Sequence, residues 1–179
     1  MTFFFTSDTH FRHKNIITYD ARPFNSSDEM TEELIQNWNS KVKSKDTVFH
    51  LGDVGVGRPE QLRQILDRLN GKICLIKGNH DKTATHKLCA DRFEWIKDYH
   101  FAVFNHGIKI ALFHYALRVW DRCHYGSWHL YGHSHGRLSQ EEGRFCFDIG
   151  VNSWDYSPLS LEEVRRQMAK LGYDENLTA

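Results

Sequence analysis

Five short apolar runs in this chain each stop abruptly at residues able to bind metal, and that recurrence constrains the fold more than any other feature. Phe3-Phe4-Phe5 leads to Asp8 and His10, and Thr47 to Leu51 leads to Gly52-Asp53. Ile73-Cys74-Leu75-Ile76 leads to Gly78-Asn79-His80-Asp81, Ile108 to Phe113 leads to His114, and Trp128 to Tyr131 leads to Gly132-His133-Ser134-His135. An apolar run closed by a glycine and polar side chains packs poorly but sets chemistry at a strand end. The rest of the chain reads as the scaffold that brings those loop tips together.

The order of elements says how. Met30, Leu34, Ile35, Trp38 and Val42 fall at helical spacing behind a Ser26/Glu29 capping box, which predicts an amphipathic helix over about residues 28–42. Pro59 opens another helix with Leu62, Ile65, Leu66 and Leu69 on one face, and Gly71 is placed to stop it. Strand, helix and strand in that order form a βαβ unit. Parallel strands then deliver residues 8, 53 and 79 to one carboxyl edge, where open α/β sheets hold ligands.

Elsewhere the pattern predicts further elements. Residues 11–25 have no period and read as a loop over the site, and Asp8 and His10, two residues apart, point the same way if their backbone is extended. A short helix is expected between Thr83 and Asp91. Trp95 to Phe104 and Ile108 to Phe113 read as two strands about a turn at Asn105-His106-Gly107. A long loop spans Tyr115 to Ser127, a hairpin over 137–149 turns at Glu141-Glu142-Gly143, and a capped helix runs from Ser160 to Gly172, with fraying expected after residue 173.

Composition narrows the class. At 179 residues the chain suits one domain, 1–179. Lys plus Arg equal Asp plus Glu at 23 each, so an anionic ligand must be attracted locally and long nucleic acid is not an expected partner. Twelve histidines favour metal. Cys74, Cys89, Cys123 and Cys146 lack CxxC spacing and read as reduced thiols. No leader pattern or membrane span is visible, so a cytoplasmic protein is expected.

Taken in order, Asp-x-His, Gly-Asp, Gly-Asn-His-Asp, a strand-ending His and Gly-His-x-His resemble the calcineurin-like metallophosphoesterase superfamily across nearly the whole chain. Ser7-Asp8-Thr9-His10-Phe11, with His13, Asn15 and Ile16, is similar to its small bacterial and phage members, which would have glycine in place of Arg12. The resemblance implies a four-layer α/β/β/α sandwich. It also implies two divalent ions: Asp8, His10 and His135 at one, Asn79, His114 and His133 at the other, and Asp53 between them. A nitrogen and oxygen ligand set without thiolate favours Mn, Fe or Zn over Ca or Mg without choosing among them; Mn2+ is the expected ion, with Fe, Zn or Ni as alternatives.

The activity so implied is hydrolysis of a phosphodiester or nucleotide-type phosphoester by water activated between the ions. His80 is the implied general acid, and Asp81 either orients its ring or caps the next helix. The alternatives are a phosphomonoesterase acting on a small molecule or phosphoprotein, a nuclease on short or structured ends, and a non-catalytic metal-binding scaffold. His13 and Asn15 either touch the substrate or hold their loop. Arg118 and Arg122 either pair with phosphate or lie in solvent, and Trp120, Tyr125, Trp128 and Trp154 either stack on a base or pack as hydrophobic cover. His50 reads as a buried, hydrogen-bonded histidine.

Overall fold

The computed structural model describes residues 1–139 and 144–173, apart from the side chains of Thr85 and His86. The turn expected at 141–143 and the fraying expected after 173 lie outside the described residues. Two sheets stack face to face. In the first, β1 (Phe3–Thr6), β2 (Thr47–His50), β3 (Lys72–Ile76) and β4 (Phe93–Lys97) run parallel in the order β4-β3-β2-β1, with β9 (Leu159–Ser160) antiparallel beside β1. In the second, β5 (Tyr99–Val103) pairs antiparallel with β6 (Lys109–Phe113), and β7 (Trp128–Tyr131) and β8 (Cys146–Asp148) continue it in parallel.

Alternation along the first sheet sorts its side chains into two cores. Phe4, Val48, Ile73 and Leu75 face the helices, where they meet Leu34 and Trp38 of α2 (Ser27–Lys41) and Leu62 and Leu66 of α3 (Pro59–Leu66). Phe5, Phe49, Cys74 and Ile76 point the other way, onto Ile110, Leu112, Trp128 and Leu130 of the second sheet. A strand buried on both faces has to be apolar at every position. That is why these strands read as unbroken hydrophobic runs. α5 (Leu161–Lys170) begins on the Ser160/Glu163 capping box and packs Val164 and Met168 into the second core. The outward face of the second sheet, where Ala111 and His129 lie, is covered by the 115–127 segment through Trp120.

Four local expectations need correction. The hairpin expected over 137–149 does not form among the described residues: 137–139 carry no strand, and β8 pairs in parallel with β7. The run from Trp95 to Phe104 is two strands in different sheets: β4 completes the first, Asp98 turns the chain, and β5 starts the second. Unbroken apolarity could not reveal that change of partner. The 11–25 segment is not all loop, since α1 (Lys14–Tyr19) forms in it and buries Ile16. The 59–66 helix ends before Gly71, which instead takes φ +86° in the turn leading into β3. α4 (Thr83–Leu88) forms where a short helix was expected, followed by a single 3-10 turn. The four cysteines are free.

Candidate metal centre

The carboxyl ends of β1, β2 and β3 from one sheet, and of β6 and β7 from the other, open onto the same rim. The 8–11 and 52–54 backbones run side by side there, with Asp8 N–H donating to the Gly52 carbonyl at 3.0 Å and His10 N–H to the Asp53 carbonyl at 3.0 Å. Two groups of potential ligands result. In Asp8, His10 and His135, and again in Asp53, His114 and His133, one ligand atom from each residue lies within 4.8 Å of the others. Asn79 Oδ1 sits 3.1 Å from His114 Nε2, beside the second group.

The spacing suits a shared ion. Two atoms each about 2.1–2.2 Å from one metal lie roughly 3.0–3.6 Å apart for angles between square and tetrahedral. His135 Nε2 is 3.5 Å from Asp8 Oδ1, and Asp53 Oδ2 is 3.6 Å from both His10 Nε2 and His114 Nε2. A single oxygen thus faces both groups. The other oxygen of Asp53 is occupied, accepting the His80 backbone N–H at 2.8 Å. His10 is buried with neither ring nitrogen partnered, which would be costly in a site that held nothing. Burial drives its pKa down to about 2, keeping the ring neutral as a metal ligand must be.

The chain strains its backbone to aim these groups. Asp8, His10, Asp53, His133 and His135 all have φ between 48° and 66°. Left-handed backbone in non-glycine residues costs on the order of 1–3 kcal/mol each and gathers where geometry serves function. Asp8 and His10 therefore converge through two left-handed turns, not through an extended strand. Arg12 takes φ 64° as well, the conformation that the implied glycine would adopt freely. Close approach adds a second constraint, because a Cβ on Gly78 would overlap Asp53 Oδ1 and one on Gly132 would overlap Asp8 Oδ2.

Supporting groups fix the rings. The His114 Nδ1–H donates to the Leu51 carbonyl at 2.7 Å, leaving Nε2 to face Asp53. His135 Nδ1 meets Asp20, whose other oxygen accepts from Arg137 at 2.6 Å. Burial pulls the His135 imidazole down, but Asp8 and Asp20 outweigh it and its pKa sits above the ordinary histidine value. Arg22, itself buried, donates to the carbonyls of Asp8 at 2.8 Å and Thr9 at 3.0 Å. Asp148 accepts from Ser134 Oγ, Gly136 N–H and Gly150 N–H, tying down the 132–136 loop.

Asp20, Arg22 and Asp148 escaped the sequence reading. A signal for Asp148 existed, since Phe147-Asp148-Ile149-Gly150 is another short apolar run broken by a carboxylate and a glycine. Asp20 and Arg22 lay in a segment without periodicity.

Not every predicted site residue converges. The cavity over the ligands, about 230 Å³, is walled by His13 and Asn15 as well as His80, Ile16 and Tyr19. Asp81 departs from the expectation: its carboxylate accepts from the backbone N–H groups of Asp53, Val54 and Gly78 at 2.8–3.0 Å, and no hydrogen bond joins it to His80. It ties two ligand loops together, and among the described residues it makes no hydrogen bond that would orient the His80 ring. Arg118 lines a different cavity, with Leu117, Tyr131 and Cys146, and Arg122 is exposed at a left-handed turn. Trp120 and Trp128 are buried in packing, while Tyr125 is 75% exposed. His50 is buried as expected, accepting from Gly52 N–H and bonded to Thr9 Oγ1, with burial lowering its pKa to about 3.

The model of the calcineurin-like phosphoesterase superfamily domain matches residues 1–152, and the chain belongs to that superfamily. It is similar to the uncharacterized protein MJ1445 of Methanocaldococcus jannaschii, 33% identical over 171 residues, covering 92% of this chain and 89% of that one. Its fold is shared by the crystal structure of AQ665, a protein of unknown function from Aquifex aeolicus. The TM-score is 0.71 at 24% identity, covering 93% of this chain and 98% of that one. Among the described residues no helix is long and apolar enough to cross a membrane.

Proposed function

We propose that the protein is a dinuclear-metal-dependent phosphoesterase with a phosphodiester or nucleotide-type phosphoester as substrate. The observation that carries this is Asp53 Oδ2, 3.6 Å from a histidine of each ligand group, as a carboxylate shared by two ions would be. Asp8, His10 and His135 would hold one ion, and Asn79, His114 and His133 the other, with Mn2+ the first candidate. A metal pair so held supplies Lewis-acid activation of water and of the phosphoryl group. The chain's own part is to hold four imidazoles aimed at the two positions, and to place His80, exposed at the cavity and pinned through its backbone to Asp53, where it can protonate the leaving oxygen.

The lining favours the diester. Imidazole and amide groups surround the ligands, and no Lys or Arg lines that cavity among the described residues. A monoester dianion would call for more compensating cation than a diester monoanion does. The test is turnover of bis-p-nitrophenyl phosphate against p-nitrophenyl phosphate with Mn2+. A higher kcat/KM for the diester is expected, and a faster monoester would overturn the substrate class. Hydrolysis of neither, by protein holding two ions per chain, would leave a metal-binding scaffold. His80→Ala should keep both ions and slow diesters of poor leaving groups by about 10²-fold or more, nitrophenyl esters much less. Equal slowing would remove the general acid.

A further inference from the structure

The cavity over the ligands does not end at Tyr19. A second cavity of about 400 Å³ adjoins it, lined by Ile16, Tyr19, Asp20, His133, His135 and Arg137, so four residues belong to both. Its volume falls in the range of small-molecule sites. Two of its walls have chemistry that the hydrolytic step does not use. Tyr19, the last residue of α1, is 64% exposed although it stands beside buried Ile16. Arg137 donates from Nη2 to the Tyr19 backbone carbonyl at 2.8 Å and to Asp20 Oδ1, which fixes the guanidinium at the end of α1 that carries the Tyr19 ring. The side chain of Arg137 remains 66% exposed, and a guanidinium has five N–H donors, of which these contacts engage one nitrogen.

An exposed aromatic face next to a fixed guanidinium, opening from a phosphoester site, is suited to a base and a phosphate. We infer that this corner is a subsite for the non-reacting part of the substrate, a nucleoside bearing a second phosphate, with the base on Tyr19 and the phosphate on Arg137. Stacking on an aromatic ring tolerates any base, so the site selects nucleotides as a class without reading sequence. Arg137 supplies an exposed cation beside the ligands, whereas Arg22 is buried beneath them. The inference rests on the phosphoesterase reading for its reacting centre but not for its binding.

The test uses the full chain loaded with Mn2+ and three esters with one leaving group: methyl p-nitrophenyl phosphate, thymidine 5′-(p-nitrophenyl phosphate), and the latter with a 3′-phosphate. KM should fall roughly tenfold from the first to the second and several-fold more to the third. Tyr19→Ala should collapse the first ratio toward one while Tyr19→Phe keeps it. R137Q should abolish the 3′-phosphate gain and R137K retain part of it, with metal content measured in each variant because Arg137 also holds Asp20. Equal KM for methyl and thymidine esters in the unsubstituted protein, or equal loss on all three in the variants, overturns the subsite. Should no ester turn over, calorimetry with thymidine 3′,5′-bisphosphate still decides: binding lost in Tyr19→Ala and kept in Tyr19→Phe supports the subsite, and no binding refutes it.

Discussion

The two ligand groups are built unequally. Asp8 and His10 are buried, His135 is backed by Asp20, and Arg22 grips the backbone beneath them. In the second group Asp53 and His114 are just as buried, but His133 and Asn79 are exposed; the His133 backbone N–H donates to Asp8, while its ring meets only the rings of His114 and Tyr115 among the described contacts. Both halves line the cavity, but the first is the more buried and the better buttressed from behind. A group whose backbone and outer ligand are held by more supporting hydrogen bonds should bind its ion more tightly and release it more slowly, whereas the more open half can admit substrate oxygens.

Asp53→Asn strikes what the halves share and should have the largest effect. Elemental analysis should show fewer than two ions per chain, and kcat/KM should drop at least 10²-fold. Unchanged two-ion stoichiometry would end the bridging assignment. Asp20→Asn should sharpen the contrast instead, weakening the first ion by about 10–100-fold and the second far less, as read by chelator competition. Equal weakening would mean that the halves are not separable.

pH should discriminate them next. A metal must displace the proton from His135, whose pKa is raised, so as pH falls the affinity of the first group should begin to drop earlier than an ordinary histidine would make it, by up to about tenfold per pH unit. His133 of the second group has a lowered value, burial being the main cause, so loss at that group should begin at lower pH. Metal titrations between pH 5.5 and 8 would show two separate curves, and coincident curves would contradict the assignment. The smallest effect is expected from Ser134→Ala, which removes one of three donors to Asp148. Denaturant unfolding should register about 1 kcal/mol, with metal content unchanged.

Legibility in the sequence followed the kind of physics involved. β1, β2 and β3 were legible because strands buried on both faces are almost wholly apolar, and α2 and α5 because Ser26 and Ser160 announce their caps. The boundary at Asp98 was not, since an apolar residue carries no mark of which sheet it joins. At the site, residue type singled out the candidate ligands, while Asp81 looked like a partner for His80 from adjacency alone. Its carboxylate turned out to serve three backbone N–H groups from two loops.

The sequence by itself determined which groups would stand at strand ends and what they could ligate, because those depend on local periodicity and on side-chain chemistry. Only the tertiary structure decided which carboxylate faces both groups, which acids serve as backbone clamps, and that Tyr19 and Arg137 meet beside the ligands. Those outcomes depend on distances between residues as far apart in the chain as Asp20 and His135, and local sequence holds no record of such closures.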